Sequence, residues 1–316
     1  MIDLPRLLLI AHRGFPGLRH EHTRPSYDLA IDEGADYIEP DIVATKDGRL
    51  VVRHENEISG TTDVADRPEF ADRRTTKVVD GSTLTGWFTE DFTLAELKTL
   101  RTRERIPDVR PRNTGIPGEE ILTFDEVVEI ATEGTKRRGW TVGIYVETKH
   151  PSYFAGIGLD LNDLLIDALE RNDLNTADAP VIVQSFESGN LRDFDRRSPL
   201  FLVRLVSPKQ RTVLDDLADI ASFADAIGPH KDLVIPRNKA KRLGPPTDLV
   251  ERSHAAGLDV HIWTMRDEPS FLPAECSPLQ EYVAYFEAGV DGLFSDWTTT
   301  AVQARRQWQA ARRPAD

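Results

Sequence analysis

The sequence predicts an α/β fold, a (β/α)₈ TIM barrel carrying a small inserted subdomain, and three observations lead there. Short apolar runs alternate with amphipathic stretches almost to the end of the chain, the pattern of a parallel sheet with crossover helices. Eight such apolar runs occur, the number that closes a barrel. No Gly-x-Gly-x-x-Gly turn follows the first run, which removes the main support for a doubly wound open sheet. The 316 residues suffice for one barrel of about 250 residues with an insertion, so residues 1–316 are expected to form a single domain with 55–120 inserted in it.

The barrel strands expected are 7–11, 37–43, 142–147, 181–184, 200–203, 224–227, 260–264 and 292–294. Helices are expected at 25–33, where Tyr27, Ala30 and Ile31 recur at i, i+3 and i+4, and at 161–170, 247–256 and 279–288. A last surface helix is expected over 301–313. Thr123-Phe-Asp-Glu126 and Ser277-Pro-Leu-Gln280 have the form of capping boxes that start helices. Gly34, Gly257 and Gly289 stand where helices should stop, each just before a strand. Residues 50–54 form a ninth strand candidate, separated from the strand over 37–43 only by residues 44–49 with the turn Lys46-Asp47-Gly48. No crossover helix fits in that gap, so the second barrel strand should be followed by an antiparallel β-hairpin that returns His54 beside Asp41. Residues 55–120 are polar and rich in Thr, Asp, Arg, Pro and Gly, with one short helix starting at Thr93-Leu-Ala-Glu96. A segment this long without barrel strands is expected to lie over the barrel mouth.

Composition is that of a globular protein, 40% apolar and 29% charged. The formal charge of −14 argues against a nucleic-acid surface, and an anionic substrate would need locally placed positive charge. Cys276 is the only cysteine, so no intrachain disulfide forms. The aliphatic run over residues 7–11 is too short to span or insert stably in a bilayer, and Asp3 precedes it where a signal peptide has basic residues. The chain as written is expected in the cytoplasm, or in the periplasm or outside the cell if a signal has been removed. No oligomeric state follows.

Glu39 and Asp41 lie two apart on one strand and so share a face. Two like charges there call for a cation between them. Glu147 and Lys149 repeat the device on the third barrel strand, and three acids near one mouth point to a hard cation. Working residues of such barrels sit at the C-terminal strand ends. Those ends carry His12-Arg13-Gly14, Glu39 with Asp41, His54, Glu147-Thr-Lys149, Gln184-Ser-Phe186, Trp263-Thr264 and Ser295-Asp296. A lone histidine or tryptophan would be read as core, but two histidines beside three acids favour chemistry. Ser185 lacks a Gly-x-Ser-x-Gly elbow, and zinc is disfavoured because acids outnumber histidines and no His-Glu-x-x-His or cysteine cluster exists.

These motifs in this order resemble the glycerophosphodiester phosphodiesterase family. The resemblance is carried by Ile10-Ala-His12-Arg13-Gly14, Glu21-His22-Thr23, Glu39-Pro-Asp41 and Thr45-Lys-Asp-Gly48 leading to Val51-Val-Arg-His54. It continues in Glu147-Thr-Lys149, Gln184-Ser-Phe186, Val260-His-Ile-Trp263-Thr264 and the residues 289–296. Arg24-Pro-Ser26 and residues 61–66 resemble the bacterial periplasmic-type branch. The resemblance implies hydrolysis of glycerophosphodiesters such as glycerophosphocholine or glycerophosphoethanolamine to sn-glycerol 3-phosphate and an alcohol. It implies metal-binding acids at Glu39, Asp41 and Glu147, a catalytic pair at His12 and His54, and phosphate-binding residues at Arg13 and Lys149. Trp263 is placed with these as a substrate contact. Ca²⁺ is the expected ion, since it tolerates irregular oxygen shells, and Mg²⁺ the alternative. Two positions depart from the family pattern: Glu55 follows the second histidine where Asp is usual, and His22 stands where many members have Asn. A rival reading, a lysophospholipase D or sphingolipid phospholipase D-like enzyme at a membrane, needs an apolar rim. Trp87, Phe88 and Phe92 are the only such cluster in the insertion and are expected to be its own core. A non-enzymatic glycerophosphate-binding protein should lack a histidine or an acid of the set, and none is missing.

Overall fold

A computed structural model of the chain describes residues 7–312. In chain order the elements are β1 (Leu8–His12), α1 (Arg24–Glu33), β2 (Tyr37–Glu39), β3 (Asp41–Ala44), β4 (Leu50–Val52), β5 (Thr75–Val79), β6 (Ser82–Gly86), α2 (Leu94–Leu97), α3 (Phe124–Arg138), β7 (Gly143–Thr148), α4 (Pro151–Gly156) and α5 (Leu161–Arg171). They continue with β8 (Val181–Ser185), α6 (Ser188–Asp195), β9 (Phe201–Val206), α7 (Leu217–Ala221), β10 (Ala226–Pro229), α8 (Leu249–Ala255), β11 (Asp259–Met265), α9 (Pro278–Glu287), β12 (Gly292–Ser295) and α10 (Thr298–Ala310). Neighbouring strands run β2-β1-β12-β11-β10-β9-β8-β7-β3, and β2 pairing with β7 through Tyr37 and Gly143 closes the ring. The result is the (β/α)₈ barrel, with helices between its parallel strands.

The second barrel strand differs from the continuous run expected over 37–43. Pro40, which has no N–H for the ladder, divides it. β2 pairs with β1, setting Glu39 opposite His12, and β3 pairs with β7, setting Asp41 opposite Glu147. The two pieces fill one barrel position, and the break aims each acid at a different neighbour. β3 then pairs antiparallel with β4, Ile42 opposite Val52, so the expected hairpin is present. β9 runs on to Val206, past the expected end at 203, because β10 continues the ladder, setting Ile227, Gly228 and Pro229 opposite Arg204, Leu205 and Val206.

Two apolar layers hold the barrel. Leu8, Ile10, Tyr145, Ile182, Val203, Ala226 and Phe294 form the inner one. Tyr145 and Phe294 meet edge to face at 4.9 Å although β7 and β12 are not neighbours, so they touch across the lumen. The alternate residues, such as Leu9, Ala11, Val146 and Val183, pack outward into the shell beneath the helices. Capping boxes start α2, α3 and α9 as the motifs indicate. Gly34 caps α1 in the left-handed region, whereas α8 and α9 end at alanine caps with Gly257 and Gly289 immediately after. A further device ties strand to strand: Asp36, Asp225 and Asp291 accept the backbone N–H of Leu9, Leu202 and Val260 at 2.9, 2.8 and 2.8 Å.

Between β4 and α3 the chain holds more order than one short helix. β5 and β6 pair from Thr75–Gly86 to Val79–Ser82 around the turn Asp80-Gly81, both with positive φ. Mostly exposed on both faces, this hairpin shows no buried alternation, which is why periodicity misses it. Trp87, Phe88 and Phe92 are buried, so this cluster is internal packing and not a lipid-facing rim. No helix among the described residues is long and apolar enough to cross a membrane. Arg313, the expected end of the last helix, lies outside the described residues.

Candidate active site

The two-residue period that fills the lumen also delivers the site. One step beyond Ile10 on β1 is His12; beyond Tyr37 is Glu39; beyond Tyr145 are Glu147 and then Lys149; beyond Ile182 is Gln184; beyond Phe294 is Asp296. A cavity of about 260 Å³ opens at this end, bounded by His12, Arg13, Glu39, His54, Glu147, Lys149 and Trp263 among others. Seven of the eight residues singled out from sequence therefore line one space, and the eighth, Asp41, is buried against two of them, Arg13 and Lys149.

Oxygens of Glu39, Asp41 and Glu147 lie within 4.8 Å of one another, and all three side chains are buried. Burial, together with the charges of Asp41 and Glu147, pushes Glu39 well above the usual carboxylate range. Burial also raises Glu147, to about 8, with Asp41 adding to the effect against the charge of Lys149. Asp41 goes the other way: against the cost of burial, Lys149 and Arg13 hold it well below the usual range. The Lys149 ammonium sits 2.6 Å from Glu147 Oε1 and 3.3 Å from Asp41 Oδ1, supplying positive charge between two of the three acids. Asp41 Oδ1 and Gln184 Oε1 are buried without a hydrogen bond. Gln184 reaches the cluster, its Nε2 donating to Glu39 Oε1 at 3.2 Å. An all-oxygen donor set with orphaned lone pairs and unbalanced negative charge fits a hard divalent cation.

Arg13 is held from three directions. Its backbone N–H donates to Glu39 Oε2 at 2.8 Å, Nη1 donates to Glu21 Oε2 at 3.1 Å, and Nε lies 3.2 Å from Asp41 Oδ2. Arg13 and Gly14 take positive φ, 57° and 92°. A Cβ on Gly14 would come within 2.5 Å of Ser26 Oγ, so only glycine permits this turn. His22 is fully buried, bridging Tyr27 Oη and Asp41 Oδ2, each at 2.8 Å. The histidine found where many relatives of the motif have Asn thus orients a cluster acid.

Of the three histidines on the cavity, His12 and His54 are each backed by a carboxylate at Nδ1, whereas His230 Nδ1 accepts the backbone N–H of Asp232 at 3.2 Å. His12 Nδ1 lies 2.6 Å from Asp296 Oδ1, and His54 Nδ1 hydrogen-bonds Glu55 Oε1. Glutamate at 55 therefore still supports His54. The arrangement sets the tautomer, leaving Nε2 to act. Burial and then the Arg13 charge lower His12 to about 4, while burial, Arg13 and Lys149 lower His54 to about 3. Both rings are neutral near pH 7, the state of a waiting base. Asp296, despite burial, is held well below the usual range by Arg266, His12 and Arg110.

Trp263 donates Nε1 to Gly228 O at 2.7 Å, and packs edge to face on Phe186 and His230. Its polar atom is committed, so it offers the cavity an apolar wall. Sequence reasoning placed Asp296 at a strand end without assigning it a partner, although it continues the period that includes Phe294. Glu55 stood out only as a departure. Arg105, Arg110 and Arg266, which hold these carboxylates, were missed; the first two lie in irregular chain with no periodic signal.

The family model of the Glycerophosphoryl diester phosphodiesterase family matches residues 12–300. A glycerophosphodiester phosphodiesterase of Arabidopsis thaliana (GDPD6) is 38% identical, over 92% of this chain and 83% of its own length. The glycerophosphodiester phosphodiesterase of Haemophilus influenzae is 28% identical, over 94% and 89%. Among solved structures, a glycerophosphodiester phosphodiesterase from Agrobacterium tumefaciens has a TM-score of 0.63 at 17% identity, covering 94% of this chain and all of its own. A phosphodiesterase of Oleispira antarctica in complex with the product sn-glycerol-3-phosphate has a TM-score of 0.66 at 20% identity, covering 96% and 97%. At these identities the two structures establish a shared barrel.

Proposed function

Because the chain belongs to the glycerophosphoryl diester phosphodiesterase family, we propose that it hydrolyses glycerophosphodiesters such as glycerophosphocholine and glycerophosphoethanolamine to sn-glycerol 3-phosphate and the free alcohol. One observation carries this: three buried acids and two carboxylate-backed histidines converge at one cavity. Glu39, Asp41 and Glu147 would hold the divalent cation, Ca²⁺ in preference to Mg²⁺, because Ca²⁺ accepts the less regular oxygen shell. When bound, the ion supplies positive charge that offsets the phosphate.

The rest of the work falls to side chains. Arg13, braced by Glu21 and Asp41, presents a fixed fork of donors to the phosphate oxygens. Lys149 gives its ammonium to the same phosphate once the ion shares the charge of Glu147 and Asp41. One of His12 and His54, entering neutral, takes the proton of the attacking oxygen; the other must first gain a proton from solvent, which the phosphate anion bound beside it favours, and then gives it to the departing alcohol. Since Nδ1 of each is committed to a carboxylate, these transfers run through Nε2. Trp263 bounds the cavity where the alcohol portion packs.

The test is hydrolysis of glycerophosphocholine and glycerophosphoethanolamine, with coupled detection of glycerol 3-phosphate, with and without EDTA. Turnover abolished by EDTA and restored by Ca²⁺ is expected. No turnover, or turnover indifferent to complete metal removal, would overturn the proposal.

A further inference from the structure

Arg105 and Arg110 lie five positions apart in the segment between β4 and α3, and each grips the carboxylate behind one of the cavity histidines. Arg105 Nη1 lies 2.7 Å from Glu55 Oε2 and donates to Oε1 at 2.9 Å. The same guanidinium binds Glu21, Nη2 donating to Oε1 at 2.6 Å, and Glu21 in turn binds Arg13. Arg110 Nη2 donates to Asp296 Oδ2 at 2.5 Å, leaving Oδ1 to His12. Its Nε is anchored on Glu268. Neither arginine lines the cavity, so neither is placed to touch substrate. They are not loose surface pairs either, their side chains being 24% and 6% exposed.

The stretch that carries them is docked firmly on the loop after β1. His20 links to Thr102 Oγ1 at 3.1 Å and to the Asn113 carbonyl at 3.0 Å. Asn113 Nδ2 donates to the Pro16 carbonyl at 3.0 Å and to Glu104 Oε2 at 2.8 Å. Residues 102–113 therefore form one braced piece with two arms reaching the two histidine–carboxylate pairs.

We propose that Arg105 and Arg110 are positioning residues of the hydrolysis: a two-armed clamp through which residues 102–113 set the orientation of both histidines together. It rests on the reading of His12 and His54 as the proton-transfer pair. A carboxylate fixed at both ends keeps its histidine in one orientation and one tautomer; released at one end, it turns, and the ring turns with it. The arms are unequal. Asp296 keeps Arg266 when Arg110 is lost, Nε donating at 2.8 Å, whereas Glu55 has Arg105 as its one arginine partner among the described residues.

The experiment measures kcat and KM on glycerophosphocholine with saturating Ca²⁺ for Arg105→Gln, Arg105→Lys and Arg110→Gln. His54→Ala serves as control, and each variant is also melted. Arg105→Gln should lose about 10–100-fold in kcat, the range for supporting shells, with KM within about twofold. Arg110→Gln should lose less. Arg105→Lys, which keeps the charge but not the fork, should fall between wild type and Arg105→Gln. Combining Arg105→Gln with Glu55→Gln should cost little more than the worse single change. Wild-type kcat in Arg105→Gln, a loss carried by KM, or full additivity with Glu55→Gln overturns the proposal. Should Arg105→Gln melt below the assay temperature, Arg105→Lys decides, and wild-type kcat there also overturns it. If the wild type is inactive or His54→Ala remains active, the site reading itself fails. If His54→Ala is inactive and the arginine variants are not, only the clamp fails.

Discussion

Asp296→Asn changes almost no volume, so its effect falls on charge and proton placement and not on packing. In the native chain three donors meet this carboxylate: His12 Nδ1 at 2.6 Å on Oδ1, and Arg110 Nη2 at 2.5 Å with Arg266 Nε at 2.8 Å, both on Oδ2. An amide has one acceptor oxygen, and two arginine donors converge on one of the two positions. The oxygen goes there and the NH₂ faces His12 Nδ1, which must now accept. The imidazole proton moves to Nε2, and a ring protonated there cannot take a proton from substrate or water.

Wrong-tautomer substitution of a histidine-orienting carboxylate costs about 10⁴ in kcat, and loss of one general acid–base group about 10²–10⁴. A fall of about 10³–10⁴ is expected, about 4–5.5 kcal/mol of barrier. The cost in stability should be smaller, about 1–3 kcal/mol for two arginines left facing a neutral amide. It also has a pH signature. Asp296 is held well below the usual carboxylate range, so its contribution is full above the unfolded-state value and is lost as pH falls through the depressed native one. The gap in melting temperature between wild type and variant should be steady near neutrality and shrink below about pH 4. The assay is release of glycerol 3-phosphate from glycerophosphocholine at saturating Ca²⁺. A kcat within about threefold of wild type, in a protein that melts normally, refutes the assignment of His12 as the base.

Other consequences are as direct. His54→Ala should lose at least about 100-fold in kcat, measured in the same assay, and near-native turnover would remove it from the mechanism. Glu147→Gln should weaken Ca²⁺ binding by calorimetry and lower kcat together; unchanged affinity would take Glu147 out of the ion site. Glu147 is raised from 4.5 to about 8 in the metal-free chain, so that chain should lose stability as pH climbs between those values, where the unfolded carboxylate ionises first. Ca²⁺ requires the ionised form, so the rise in melting temperature on adding Ca²⁺ should grow across the same window, and a flat response from pH 5.5 to 8 would contradict it. Gly14→Ala places a Cβ 2.5–2.9 Å from atoms of Ser26 at φ +92°, and should cost about 3 kcal/mol or more, about 6–12 °C in melting temperature by calorimetry.

What could be read from the sequence is what a strand's period carries. Ile10 and His12, Tyr145 and Glu147, and Ile182 and Gln184 are pairs in which the apolar member marks the face and the polar member marks the mouth. The hairpin that delivers His54 was legible because a six-residue gap admits one geometry. Two things were not legible. Pro40 could be seen, but its effect, setting Glu39 opposite His12 and Asp41 opposite Glu147, depends on pairing with strands remote in sequence. Arg105 and Arg110 sit in chain without regular dihedrals, so neither spacing nor face identifies their partners. Glu21 and Glu268 lie 84 and 158 positions from them and are linked by the fold alone.

Charge balance at the mouth explains how so acidic a chain can receive an anion. Glu39, Glu147, Arg13 and Lys149 line it, and Glu21, Asp41, Glu55, Arg53 and Arg105 stand behind them in the same charge network. Fully ionised, five acids against four bases leave one negative charge, which a proton on Glu39 or Glu147 relieves when no ion is present. A divalent cation reverses the sign to one positive, and a phosphodiester, with its single negative charge, restores neutrality. The second group is already balanced, Arg110 and Arg266 against Asp296 and Glu268, and so holds His12 without drawing on the substrate. Removing Arg13 or Lys149, the cations of the first group that line the cavity, should therefore weaken substrate more than ion, and removing Glu39, Asp41 or Glu147 should do the reverse. That opposition separates this arrangement from a surface of scattered ion pairs, in which charge changes of either sign would have small and similar effects.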